Sequence, residues 1–166
     1  MNLRDQVPGL AWLSEKLLGF TARRPLPKWR RDVFRASKVA GPEGGVEVVL
    51  FADTFNTNFE AENLHAAIAV LTAAGRRVHI VQGLCCGRTF LSAGLVDQAR
   101  EEMSRTVAAL APFVERGLPV LGLEPSCLLT LRDEFLSVLP GAATQALAKN
   151  AMLLEEYLAA EHGAGR

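Results

Sequence analysis

The chain has 166 residues, of which 49% are hydrophobic and 22% charged. That length suits one domain with a single core, and that composition excludes intrinsic disorder and low-complexity fibres. Eighteen Lys and Arg balance eighteen Asp and Glu, and aromatics are only 7%, so the basic excess and base-stacking platforms of a nucleic-acid binder are both missing.

The first forty-five residues differ from the rest. Leu10, Leu13, Leu17 and Leu18 recur at helical spacing, which predicts a short amphipathic helix over residues 8–20. Arg23-Arg24-Pro25-Leu26-Pro27-Lys28-Trp29-Arg30-Arg31 follows. Its two prolines block a helix and favour an extended connector. It reads as a solvated linker, or as a basic strap anchored on a neighbouring domain by Trp29. The cluster Gly41-Pro42-Glu43-Gly44-Gly45 marks a boundary. Residues 1–45 are therefore expected to be an N-terminal helix and linker, and residues 46–166 a compact domain.

From Val46 onward the pattern alternates strand and helix. Val46 to Phe51 is a β-branched run and predicts a buried strand. Asp53 to Asn58 reads as a polar loop, with Thr57 and Glu60 at the spacing of a capping box. Leu64, Ile68 and Leu71 form one face of a helix that ends at Gly75. Arg77 to Val81 is a second strand, and Gly83 to Thr89 a loop. Leu95 to Glu115 is a long helix with Met103, Val107, Leu110 and Val114 on its apolar side. Leu118 to Leu123 is a third strand. A helix starts near Cys127 with Ser126 as its cap, and a last helix spans residues 142–160. Strands alternating with helices predict an α/β fold of three layers, Rossmann-like: a short parallel sheet with flanking helices and right-handed crossovers.

No segment approaches the roughly 20 apolar residues that span a bilayer. The N-terminus, Met1-Asn2-Leu3-Arg4-Asp5, lacks the apolar run of a signal peptide. The expectation is a soluble, cytoplasmic protein with no membrane span.

In parallel sheets a ligand site lies outside the carboxyl ends of the strands. Three polar segments follow the three strands there: residues 53–58, 84–88 and 124–127. All three cysteines of the chain, Cys85, Cys86 and Cys127, lie in them. Gly87 lets the chain turn so that both neighbouring thiols face one centre. Cys127 sits at a helix start, where the positive end of the dipole favours thiolate. Thiolates select zinc, copper(I) or iron–sulfur clusters. Three are one short of the usual four, and Asp53 and Glu124 are the nearest carboxylates to complete the set. Arg88 either faces an anion or is an ordinary surface arginine. The bland alternative is that the cysteines are small buried hydrophobes. His65, His79 and His162 read as structural or solvated. No histidine falls in the three segments, which argues against a Cys–His hydrolase. Walker A, G-x-G-x-x-G, G-x-S-x-G and H-E-x-x-H motifs are absent.

Leu84-Cys85-Cys86-Gly87-Arg88-Thr89-Phe90 and Gly122-Leu123-Glu124-Pro125-Ser126-Cys127 resemble the cysteine-rich CCG domain of heterodisulfide reductase and related iron–sulfur oxidoreductases. The likeness is nearest to the C-terminal module of FAD-linked oxidases of the D-lactate dehydrogenase or glycolate oxidase type. Phe51 to Phe59 and Leu128 to Phe135 look like the same subgroup. The resemblance covers roughly residues 46–158. The family pattern is one cysteine, then a distant CCG, then C-x-x-C. Cys85, Cys86 and Cys127 match three of those positions, while Asp53 and Glu124 stand where the other two would fall.

The resemblance implies electron transfer through a thiolate-held metal centre, with Cys85, Cys86 and Cys127 as ligands and Gly87 and Arg88 beside them. It implies an iron–sulfur cluster, or zinc at a degenerate site. The sequence carries no C-x-x-C-x-x-C run and no flavin-binding segment. FAD is then expected on a flavin-containing and ferredoxin-like iron–sulfur subunit or domain that partners this one. Two other readings stay open: a zinc-binding or metal-free interaction module, and a thiol/disulfide redox protein.

Overall fold

A computed structural model describes residues 3–28 and 30–165. Two short helices come first, α1 (Leu3–Gln6) and α2 (Leu10–Leu18). The sheet follows with its helices: β1 (Val39–Ala40), β2 (Val46–Phe51), α3 (Thr54–Asn58), α4 (Ala61–Ala73) and β3 (Arg76–Val81). Then come α5 (Arg88–Ser92), α6 (Val96–Val114), β4 (Val120–Gly122), α7 (Pro125–Arg132) and α8 (Glu134–Val138). The chain ends with α9 (Ala142–Asn150), β5 (Ala151–Leu153) and α10 (Leu154–Gly163).

The fold is the expected three-layer α/β arrangement. The sheet order is β1-β3-β2-β4-β5. The four strands β2 to β5 run parallel, with Val46 opposite Arg76, Val49 opposite Val120 and Val120 opposite Ala151. Period-2 alternation divides β2 between two cores. Val48 and Leu50 point to one side, where Leu64, Leu71, Val78, Ile80 and Tyr157 pack. Val49 and Phe51 point to the other, with Met103, Leu110, Leu128, Phe135 and Leu147. No helix among the described residues is long and apolar enough to cross a membrane.

Several expectations are corrected. The last helix is two helices separated by β5, because Ala151 to Leu153 extends beside β4 and adds a fourth parallel strand. The sheet also carries an antiparallel edge, β1 against β3. Residues 53–58 are not a loop: Thr54–Asn58 is a helical turn. Its cap is Asp53, and Thr57 lies inside that turn instead of capping the next helix. Glu124, not Ser126, caps α7, which starts two residues earlier than expected, with Pro125.

The expected border at residue 45 falls inside the packing. Phe34 is 2% exposed in the core beside α4 and β3. Its amide donates to the Thr57 carbonyl at 2.8 Å, and the Ile80 amide donates to the Lys38 carbonyl at 2.8 Å. From Phe34 onward the chain belongs to the sheet domain. Before it, α2 forms as expected, but Trp12, Leu17 and Leu18 are exposed and the helix buries no residue. Arg30 ties the basic strap down: its guanidinium donates to the Phe59 carbonyl at 3.1 Å and pairs with Glu62 and Asp32. The expected anchor, Trp29, lies outside the described residues.

Candidate functional site

β2, β3 and β4 end at one rim, and the segments after them meet there. β3 leads through residues 82–87 to the cysteine pair. Gly87 is needed for the turn into α5. Its φ is +77°, and a Cβ would lie 3.1 Å from the Ala99 carbonyl oxygen and 3.2 Å from Met103. A side chain there would strain the backbone and press the pair away from α6. The Thr106 hydroxyl donates to the Cys85 carbonyl at 3.0 Å, which fixes the loop against the same helix.

The three sulfurs are joined by successive hydrogen bonds, Cys85 to Cys86 to Cys127. Cys86 Sγ donates to Cys127 Sγ at 3.1 Å, and both residues are buried, at 3% and 2% exposure. Cys85 is half-buried and hydrogen-bonded to Cys86. Its sulfur accepts from the Gly87 amide at 3.4 Å, and Thr54 of α3 also bonds to it. Cys86 and Cys127 belong to the apolar core that holds Met103, Leu128 and Phe135. The premise that sulfurs 41 residues apart share one rim is thus a feature of the structure.

The two carboxylates do different work. Asp53 is buried at 1% exposure. Its Oδ1 accepts from the amides of Phe55 at 2.9 Å and Asn56 at 3.0 Å, and Oδ2 accepts from Asn56 Nδ2 at 2.7 Å. Glu124 Oε1 accepts from the Ser126 amide at 3.2 Å and the Ser126 hydroxyl at 2.8 Å. Both are helix caps, the commonest task for a carboxylate just before a helix. Arg88 pairs with Glu134 and so joins α5 to α8. This ion pair is half-exposed and adds little stability.

A four-coordinate thiolate centre needs one donor more than three sulfurs. Both oxygens of Asp53 and Oε1 of Glu124 are engaged in capping. Among the described residues, no three His, Cys, Asp or Glu side chains are grouped as a metal-ligand set. Among the described residues the site supplies three sulfurs, one donor fewer than such a centre uses.

Electrostatics favour thiols over thiolates. The hydrogen bond to Cys86, then burial, pushes the Cys85 thiol far above its ordinary value. Cys86 is pushed up to about 12, first by its bond to Cys127 and then by burial, with the Cys85 contact opposing. This has a consequence for stability. An unfolded cysteine loses its proton near its ordinary value of 9.0, while folded Cys86 keeps it until about 12. The folded state then binds more protons, so stability falls as pH rises through that window. Urea midpoints taken across it should decline more steeply for the native chain than for Cys86→Ser. Equal slopes would contradict the assignment.

Sequence reasoning missed Asn56, Thr54, Thr106 and Glu134. Asn56 is buried at 5% exposure and links Asp53 to Asn63, whose amide donates to Asn56 Oδ1 at 3.0 Å. Thr106 was visible in principle: it is a polar residue on the α6 stripe of Met103 and Leu110. Comparison with protein-family models, curated proteins and solved structures finds no match to this chain.

Proposed function

We propose that this chain is the cysteine-rich redox module of an FAD-linked oxidoreductase acting on a 2-hydroxy acid of the D-lactate or glycolate type. Cys85, Cys86 and Cys127 are its electron-carrying centre. The observation that carries the reading is the contact of Cys86 and Cys127 at the carboxyl rim of the sheet, with Cys85 bonded beside them. The CCG and EPSC elements that carry the family resemblance supply those sulfurs. The flavin that oxidises the hydroxy acid resides on a partner or another segment, and this module accepts its electrons.

Each residue has a part in that task. Gly87 and Thr106 hold the vicinal pair in place. Asp53 and Glu124 rigidify the two opposing turns by capping their helices. Burial among Met103, Leu128 and Phe135 keeps bulk water from the inner two sulfurs.

The test is an anaerobic titration of the oxidised protein with reduced FAD, as purified and after reconstitution with ferrous iron and sulfide. The expected result is stoichiometric reoxidation of the flavin, lost in Cys127→Ser. Flavin that stays reduced in both preparations overturns the reading. A second reading, a metal-free interaction module, is favoured by one observation: Cys86 and Cys127 pack as core residues. It predicts that Cys127→Ala and Cys127→Ser alter stability alone.

A further inference from the structure

We propose that Cys86 and Cys127 form a reversible disulfide, with Cys85 as the thiol through which small-molecule disulfides reach them. The proposal rests on the reading of the three cysteines as a redox centre and names the form in which that centre stores two electrons.

Accessibility divides the three sulfurs. Cys86 and Cys127 are buried and touch each other. Cys85 instead lines an open cavity of about 180 Å³, together with Thr54, Thr57, Asn58, Gly83 and Glu102. A reagent meets Cys85 first. The choice of final bridge follows from backbone geometry. Disulfides usually join Cα atoms 4.4–6.8 Å apart, roughly. Adjacent residues across a trans peptide are only about 3.8 Å apart, and the described chain has no cis peptide. A Cys85–Cys86 bridge is therefore strained. Cys86 lies in the loop before α5 and Cys127 in the first turn of α7, so the pair is free of that limit. Their sulfurs need to close by about 1 Å to reach bonding distance.

The chemistry balances in three exchanges. The small fraction of Cys85 present as thiolate, its thiol being held protonated by the bond to Cys86 and by burial, attacks a disulfide RSSR and expels RS⁻. The Cys86 thiolate then attacks the Cys85 sulfur and expels the second RS⁻, leaving the strained vicinal bridge. The Cys127 thiolate attacks the Cys86 sulfur and expels the Cys85 thiolate. Proton uptake gives two RSH, a Cys86–Cys127 disulfide and a free Cys85 thiol. Two thiols are oxidised to one disulfide, and RSSR is reduced to two thiols. Strain in the middle state drives the last exchange forward.

The experiment is incubation of the full chain with oxidised glutathione, followed by thiol counting and mapping of cross-linked peptides. Free thiols should fall from three to one, with Cys127 linked to Cys86. Cys85→Ser should slow bridge formation about ten-fold or more while leaving the same end product. Cys85→Ala, with its melting curve recorded, covers a failure of the serine variant to fold. An end product that links Cys85 to Cys86, three thiols that persist, or an unslowed Cys85 variant overturns the proposal. The flavin titration reads separately. A glutathione-driven bridge with no flavin reoxidation overturns the functional reading and leaves this inference standing. Reoxidation by an iron-containing protein with three unbridged cysteines does the reverse.

Discussion

Replacing Phe34 by alanine lowers the unfolding free energy by about 3 to 5 kcal/mol. The side chain is 2% exposed and packs against the His65 ring, with centroids 5.0 Å apart. It closes the core of one sheet face over Leu64, Leu71 and Val78. Truncation removes the transfer energy of a whole ring and leaves a cavity that β2 and α4 cannot fill by collapse. For a chain of this length the melting point should fall by roughly 6 to 20 °C. A drop of less than about 1 kcal/mol in denaturant titration would show that the segment before β1 is a linker after all.

Asp53→Ala should cost about 2 to 4 kcal/mol, a large effect for one polar residue. Three donors lose their acceptor at once: the amides of Phe55 and Asn56 and the Asn56 side chain. Asn56 is itself buried, so its orphaned donors pay a desolvation penalty that water does not repay. The cysteine site suffers too, because Thr54 of the same turn bonds to Cys85. Asp53→Asn keeps one acceptor and should recover about half of the loss. These variants separate a cap from a metal ligand. A cap costs stability in the metal-free chain. A ligand would cost metal affinity and leave metal-free stability intact, and that pattern would refute the capping role.

The parts legible in the sequence were those with strong local signals. The β-branched run at Val46 to Phe51, the alternation around Val78 and Ile80, and the apolar stripe of α6 each specify an element without help from the rest. The convergence of Cys85, Cys86 and Cys127 followed from topology alone, since parallel strands deliver their trailing loops to one rim. What stayed hidden was set by partners instead. Ala151-Met152-Leu153 has no Gly or Pro to break the helical pattern on either side, and β4 alone makes it a strand. Val39-Ala40 is a strand only because β3 offers it an edge. Asp53 and Glu124 were ambiguous because a carboxylate before a helix suits a cap as well as a metal, and only hydrogen-bond geometry separates the two.

The margins of the sheet carry a further consequence. The two outermost strands are short, at two and three residues. The amide of Leu153, at the end of β5, is already taken by Glu156 at 2.9 Å. Little exposed ladder remains for a foreign strand to zip onto, so lateral polymerisation of folded molecules is discouraged at both flanks.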